Sequence, residues 1–382
     1  MSLRSAFTDE DSRGLGAKLA DLNWGFVFLI CVVASIGFAM LFSAAEGRVD
    51  PWASRQMVRF GVGLICMLTI ALIDLRFWIR WAWVIYLVAF ALLAAVEVMG
   101  VVGMGAQRWV NLGVVQLQPS EVMKIAIVLA LARYFHGVPL EEVGRLRILI
   151  VPLLLLALPV VLVLRQPDLG TAVLLLATGA AICFAAGVRL WVFATAGLAG
   201  LGFIPIAWQY LHEYQKQRVL TFLDPERDPL GAGYHILQSK IALGSGGISG
   251  KGFMQGTQSH LNFLPEHQTD FIFTMLAEEF GLIGGLTLLA LYVVIIAYGL
   301  AIAIRARSQF GRLLAVGLTA TFFLYVFINM AMVMGLVPVV GVPLPLVSYG
   351  GTSMLTILIG FGLVLSVAIH RDVVIPRRID QD

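Results

Sequence analysis

Leu282-Ile-Gly-Gly-Leu-Thr-Leu-Leu-Ala-Leu-Tyr-Val-Val-Ile-Ile-Ala-Tyr-Gly-Leu-Ala-Ile-Ala-Ile304 carries no charge and shows no apolar–polar alternation. A helix of about 20 such residues matches the hydrocarbon thickness of a bilayer. Inside hydrocarbon every backbone N–H and C=O must be satisfied within the protein, so a span is either a helix or part of a closed barrel. Barrel strands alternate apolar and polar residues over short runs. Neither this stretch nor Val151–Leu164 does so, and both are read as helices.

The same pattern recurs along the chain. Its 382 residues are 59% hydrophobic and 13% charged, with a mean hydropathy of +0.90, which excludes a soluble globular domain. Ten spans are predicted, at roughly 24–44, 56–74, 80–102, 119–135, 148–164, 169–187, 190–211, 271–301, 313–336 and 351–369. The expected fold is an all-α integral membrane protein, one polytopic domain over 1–382. It has an N-terminal tail (1–22), a large loop (212–270) between the seventh and eighth spans, and a C-terminal tail (370–382). The fourth and fifth spans are short and are expected to be tilted or partly embedded. Pro159 and Pro205 are expected to kink their helices. Cys31, Cys66 and Cys183 lie in apolar segments without metal-ligand spacing and read as small hydrophobes. Met1–Leu22 lacks the apolar core and cleavage site of a signal peptide, so the first span is expected to stay in the mature chain.

Cations in the short loops set the orientation. Arg4, Arg13 and Lys18, Arg76 and Arg80, Arg145 and Arg147, Arg189, Arg305, Arg307 and Arg312, and Arg371, Arg377 and Arg378 all fall on one side of ten spans. The positive-inside rule makes that side, with both termini, cytoplasmic. The opposite side receives Gly103–Gln118, Arg165–Asp168, the long loop His212–Asp270, and Leu336–Gly350.

Those loops carry the unusual chemistry. Phe263-Leu-Pro-Glu-His-Gln-Thr-Asp270 runs straight into the eighth span, placing a carboxylate at the mouth of a membrane helix. An ionisable group there marks a functional site by default; the plainer reading is a helix cap. Gln118-Pro-Ser-Glu-Val-Met-Lys124 starts a helix with Glu121 and Lys124 on one face, either as functional groups or as a mutually neutralising pair. Asp168 in Arg165-Gln-Pro-Asp168-Leu-Gly-Thr171 reads as a cap with a cation nearby. In the long loop Arg218, Lys240, Lys251 and His267 form a basic lining suited to an anion such as a diphosphate. Its glycine run Gly244-Ser-Gly-Gly-Ile-Ser-Gly-Lys-Gly252 reads equally as a phosphate-facing backbone or as a flexible cover. Pro338–Ser353 holds too many prolines and glycines for a continuous helix, so it either lines a cavity or is a structural re-entrant loop.

Gly105-Ala-Gln-Arg-Trp109, Gln118-Pro-Ser-Glu121, Gln166-Pro-Asp-Leu-Gly-Thr171, Arg218-Val-Leu-Thr-Phe-Leu-Asp-Pro225, Gly256-Thr-Gln258, Thr269-Asp-Phe-Ile-Phe273 and Pro343-Leu-Pro-Leu-Val-Ser-Tyr-Gly-Gly351 resemble, in order, the motifs of the SEDS family (shape, elongation, division and sporulation). The form of Val339–Val347 is closest to the family's elongation member, with its division member as the alternative. The resemblance implies a ten-helix glycosyltransferase that polymerises lipid II at the outer face of the bacterial cytoplasmic membrane. It implies a class B penicillin-binding protein and elongation-complex proteins as partners. It makes Asp270 essential and carries Arg108, Trp109, Glu121, Lys124 and Asp168 into the site. Glu121 and Lys124 join Asp270 as catalytic candidates. Arg108, Trp109, Asp168, Arg218, Lys240, Gln258, His267 and Ser348 are the substrate-binding candidates. The family usually has His directly before Thr-Asp, where this chain has Gln268, with His267 one residue earlier. The expected chemistry is attack of a sugar hydroxyl, with Asp270 as general base, on a lipid-linked diphosphate donor. Cations, or a divalent ion such as Mg²⁺ or Mn²⁺, neutralise the leaving group. A lipid II flippase and a non-catalytic scaffold are the rival readings.

Overall fold

A computed structural model describes residues 14–103, 106–111, 116–210, 213–224, 232–257 and 268–376. A short helix α1 (Leu15–Ala20) precedes α2 (Trp24–Ala44), α3 (Ala53–Leu72) and α4 (Leu75–Met99). Then follow strands β1 (Val101–Gly103), β2 (Ala106–Asn111) and β3 (Gln116–Leu117), and helices α5 (Pro119–Gly137), α6 (Leu146–Arg165), α7 (Leu169–Ala186) and α8 (Leu190–Tyr210). The long loop contains α9 (Glu213–Leu223) and α10 (Ala232–Ser245), and the chain closes with α11 (Ile272–Arg305), α12 (Gln309–Val333) and α13 (Gly351–Ile369).

The ten predicted spans are α2–α8 and α11–α13. Eight of these are long and apolar enough to cross a membrane, making this a multi-pass membrane protein. The other two are α5, which carries Glu121, Lys124 and Arg133, and α8. The fourth and fifth spans are not short: α5 has 19 residues and α6 has 20, about 30 Å of helix each.

Local chemistry starts the helices where the sequence places them. Asn23 accepts from the Phe26 N–H at the start of α2, and Ser308 accepts from the Gly311 N–H at the start of α12. Pro119 occupies the first turn of α5, where its missing N–H has no intrahelical role. Gly187, in the left-handed region, terminates α7. The central helix is α12, which packs against α5, α7, α11 and α13. Within the loop read over Gly103–Gln118 and just before it, the described residues pair as a small antiparallel sheet in the order β1-β2-β3.

Helix α11 is discontinuous. Gly281 leaves helical geometry (φ 65°, ψ −159°), and the glycine run of the long loop inserts into the break. The Lys251 and Gly252 N–H groups donate to the Glu278 and Glu279 carbonyls at 3.0 and 2.9 Å. On the far side of the break, the Leu282 and Ile283 N–H groups donate to the Gly247 and Ile248 carbonyls at 3.0 and 3.1 Å. These are the backbone groups a helix break orphans, and irregular backbone at membrane depth is tolerated only when they are satisfied. The approach demands glycine: a Cβ at Gly250 would lie 2.1 Å from the Glu279 carbonyl oxygen, and one at Gly246 would lie 2.0 Å from that of Ala277. The buried Glu278 carboxylate adds a side-chain latch, accepting from Lys251 Nζ at 2.7 Å and the Thr257 N–H at 2.9 Å. The amides of Lys251 and Gly252 are thus committed to the helix break, not to a phosphate.

Candidate functional site

The break leaves residues 272–280 as a short half-helix, and Asp270 stands just before it. The N-cap position falls on Phe271, one residue beyond Asp270. The turn leading in is held by its main chain. Three successive carbonyls each accept from a separate donor: Gln268 from the Tyr349 N–H at 2.9 Å, Thr269 from the Ser348 hydroxyl at 2.6 Å, and Asp270 from Asn329 Nδ2 at 2.9 Å. Two of these donors lie in the Pro-Leu-Pro-Leu-Val-Ser-Tyr loop, which is itself fixed. Ser348 Oγ accepts from the Leu344 N–H, Gln56 Nε2 donates to the Ser348 carbonyl, and the Tyr292 hydroxyl donates to the Pro345 carbonyl. Asn329 Nδ2 also donates to the Val342 carbonyl at 2.7 Å. Gly341 comes so near that a Cβ there would lie 3.4 Å from Asp270 Oδ2. The loop the sequence could place only as cavity lining or re-entrant backbone is therefore the cradle of Asp270.

Asp168 is the N-cap of α7. Its two carboxylate oxygens accept from the Thr171 N–H at 3.1 Å and the Thr171 hydroxyl at 2.9 Å. The cation facing it is Arg108, at 4.0 Å, not the adjacent Arg165, which turns to Glu97. Arg108 reaches across from β2 and donates to the carbonyls of Gln166 and Pro167 at 3.1 and 2.5 Å. Trp109, its neighbour on β2, is half-buried and pairs with Val101 across the sheet.

Glu121 and Lys124 do meet, 2.7 Å apart on α5, as their spacing predicts, but beneath the surface. Tyr325 of α12 completes a triad: its hydroxyl donates to Glu121 Oε2 at 2.7 Å and also contacts Lys124 Nζ. The side chains of Lys124 and Glu121 are only 2% and 5% exposed. Buried charges persist when paired and hydrogen-bonded in this way.

The clusters share walls. Tyr325 and Asn329 lie one turn apart on one face of α12, so a single helix serves both the Glu121–Lys124 pair and the Asp270 turn. Leu174, Tyr325, Val342 and Val340 pack together between them. At the start of α7, a Cβ on Gly170 would lie 2.9 Å from the Val340 carbonyl oxygen, which sets Asp168 at the edge of the same loop.

Lys240 lies exposed on α10, its Cε so close to Gly335 that a Cβ there would be 2.3 Å away. Arg218 is half-buried on α9. Gln258 and His267 fall outside the described residues. Tyr325 and Asn329 were missed by sequence reasoning, although both are polar groups in a predicted span, the signal that singled out Glu121 and Lys124.

Among the described residues the donor set does not fit a protein-held divalent ion. Among the described residues no three His, Cys, Asp or Glu side chains are grouped to hold one. Glu121 is committed to Lys124 and Tyr325, and Asp168 to Thr171.

Comparison with known proteins finds relatives over nearly the whole chain. The profile of the FtsW/RodA/SpoVE family, described as cell cycle protein, matches residues 21–373. A peptidoglycan glycosyltransferase, MrdB of Escherichia coli K12, is 46% identical over 350 residues, 90% of this chain and 93% of its own. A chain from a peptidoglycan synthase complex, solved to show how polymerization and crosslinking are coordinated, superposes with a TM-score of 0.79 at 35% identity, covering 92% of this chain and 98% of that one. The rod shape determining protein RodA of Thermus thermophilus superposes with a TM-score of 0.70 at 30% identity, covering 92% of this chain and 97% of that one.

Proposed function

We infer the function from one premise: the chain belongs to the FtsW/RodA/SpoVE family of cell cycle proteins, the SEDS family. It is a peptidoglycan glycosyltransferase, the activity for which its relatives are named. The reading takes lipid II as the substrate, the outer face of the bacterial cytoplasmic membrane as the place of reaction, and cell elongation as the setting. Both termini are cytoplasmic, by the distribution of loop cations. A class B penicillin-binding protein that crosslinks the strands is the partner, and other elongation-complex proteins assemble with the pair. A relative within a complex for polymerization and crosslinking supports this partner.

Asp270 is the general base. Its carboxylate deprotonates the acceptor sugar hydroxyl as that oxygen attacks the anomeric carbon of the donor. The bond from the anomeric carbon to the diphosphate oxygen breaks, its electron pair leaves with the diphosphate, and the anomeric centre inverts. Arg108 is the cation best placed to meet the charge that develops. It is 28% exposed, and its guanidinium has five donor N–H groups, of which the Gln166 and Pro167 carbonyls take only part. Arg218, Lys240, Gln258 and His267 supply the long loop's share of substrate binding, with Trp109 beside Arg108. Lys124 acts from beneath, holding Glu121 neutralised under the site floor. A Mg²⁺ or Mn²⁺ ion would travel with the diphosphate instead of occupying a protein cage.

The observation that carries this reading is the carboxylate of Asp270 beside Gly341, on a turn clamped at three consecutive carbonyls. The test is polymerisation of purified lipid II by the protein with its transpeptidase partner. Asp270→Asn is expected to reduce glycan product by a factor of about 10² or more, at the lower end of what general bases contribute. Full polymer yield from that variant would sink the assignment.

A further inference from the structure

Gln268 directly precedes Thr269-Asp270, and three successive carbonyls of this turn accept from donors elsewhere in the fold. We propose that Asn329 and Ser348 are positioning residues that set where the Asp270 carboxylate stands, acting through the turn's carbonyls and independently of the side chain at 268. The proposal rests on Asp270 being the base.

Asn329 is fully buried on α12, and its amide nitrogen bridges two carbonyls, of Asp270 at 2.9 Å and Val342 at 2.7 Å. Both neighbours are acceptors only, so the orientation of the amide is fixed: nitrogen must face them. One side chain thereby ties the base's own main chain to the residue after Gly341, the glycine that meets the carboxylate. Ser348, 3% exposed, uses its hydroxyl twice, donating to Thr269 and accepting from Leu344. Ser348 is therefore occupied within the protein, and the structure assigns it to the cradle rather than to the substrate. Asn329 reaches the entry of the half-helix from 59 residues away in sequence. The arrangement holds the base from a helix that also carries Tyr325, so the Glu121–Lys124 pair and Asp270 are kept in one register.

A general base misplaced by about 1 Å costs on the order of 10²-fold. Asn329→Ala leaves two carbonyls without their shared donor, and its kcat for lipid II polymerisation is expected to fall about 10- to 100-fold with KM changed less than about threefold. Asn329→Ser, which restores one donor, should recover part of kcat. A merely structural role would lower the yield of folded protein without this split and without graded rescue. Ser348→Ala keeps every Asn329 contact and is expected to lower kcat in the same way, which keeps the test open where Asn329→Ala does not fold. The proposal is overturned by folded variants that keep kcat within twofold, or that change KM alone. Asp270→Asn in the same assay separates the two assignments: if it stays active, the base assignment fails. If it is inactive while Asn329→Ala and Ser348→Ala are fully active, only the positioning role fails.

Discussion

Replacing Lys124 with Met removes one partner from the most deeply buried ion pair described in the structure. Its Nζ lies 2.7 Å from Glu121 Oε1, with side-chain exposures of 2% and 5%. Without the ammonium, Glu121 is left with the Tyr325 hydroxyl as donor. Stranding a buried charge costs about 3–5 kcal/mol, far more than the pair contributes relative to apolar replacements of similar volume. At roughly 2 °C per kcal/mol for a large chain, the apparent melting temperature in detergent should fall by roughly 6–10 °C. The companion variant Glu121→Gln/Lys124→Met removes both charges and keeps an acceptor for Tyr325. Most of the loss should return, with a coupling of about 2–3 kcal/mol. Fluorescence-monitored thermal unfolding of the parent, the two single variants Lys124→Met and Glu121→Gln, and the double variant reads both quantities. A single variant as stable as the parent, or a double variant no better than the single, would refute the buried-pair reasoning. Polymerase activity measured on the stability-matched double variant then isolates any part of the triad that belongs to chemistry.

Two further outcomes follow from the backbone. Gly281→Ala forces a side chain into a conformation nearly reserved for glycine, with its Cβ 2.4 Å from the Gly250 nitrogen. The expected loss is about 2–5 kcal/mol, from backbone strain and overpacking together, and a wild-type melting temperature would show that the glycine loop is not seated in the α11 break. Asp168→Ala should cost about 1 kcal/mol as a lost N-cap, while Asp168→Asn, which still caps, should cost far less. Equal destabilisation by the two would mean that the charge facing Arg108, and not the cap, is what stabilises α7.

What the chain reveals in one dimension, and what it hides, divides along the range of the interaction. Hydrocarbon imposes a length and an apolar composition on each span separately, so α2 and α13 fall on the residues the sequence names. Glu121 and Lys124 are three residues apart, and Asp168 and Thr171 likewise, so their pairings follow from helix geometry and capping. The glycine run fails as a phosphate motif for the opposite reason. Its partners, Glu278–Ile283, lie about thirty residues downstream, and nothing local distinguishes an amide awaiting a phosphate from one awaiting a broken helix. Tyr325 is further still, 204 residues from Glu121, and only the packing of α5 on α12 makes it a partner. Asp270 combines both cases. Its place at a helix mouth is legible because charge is costly there, whereas the donors that hold it come from Asn329, Ser348 and Tyr349, across a fold the sequence does not display. A clamp built on carbonyls constrains the path of the chain through main-chain atoms, which every residue type supplies, so no local motif announces it.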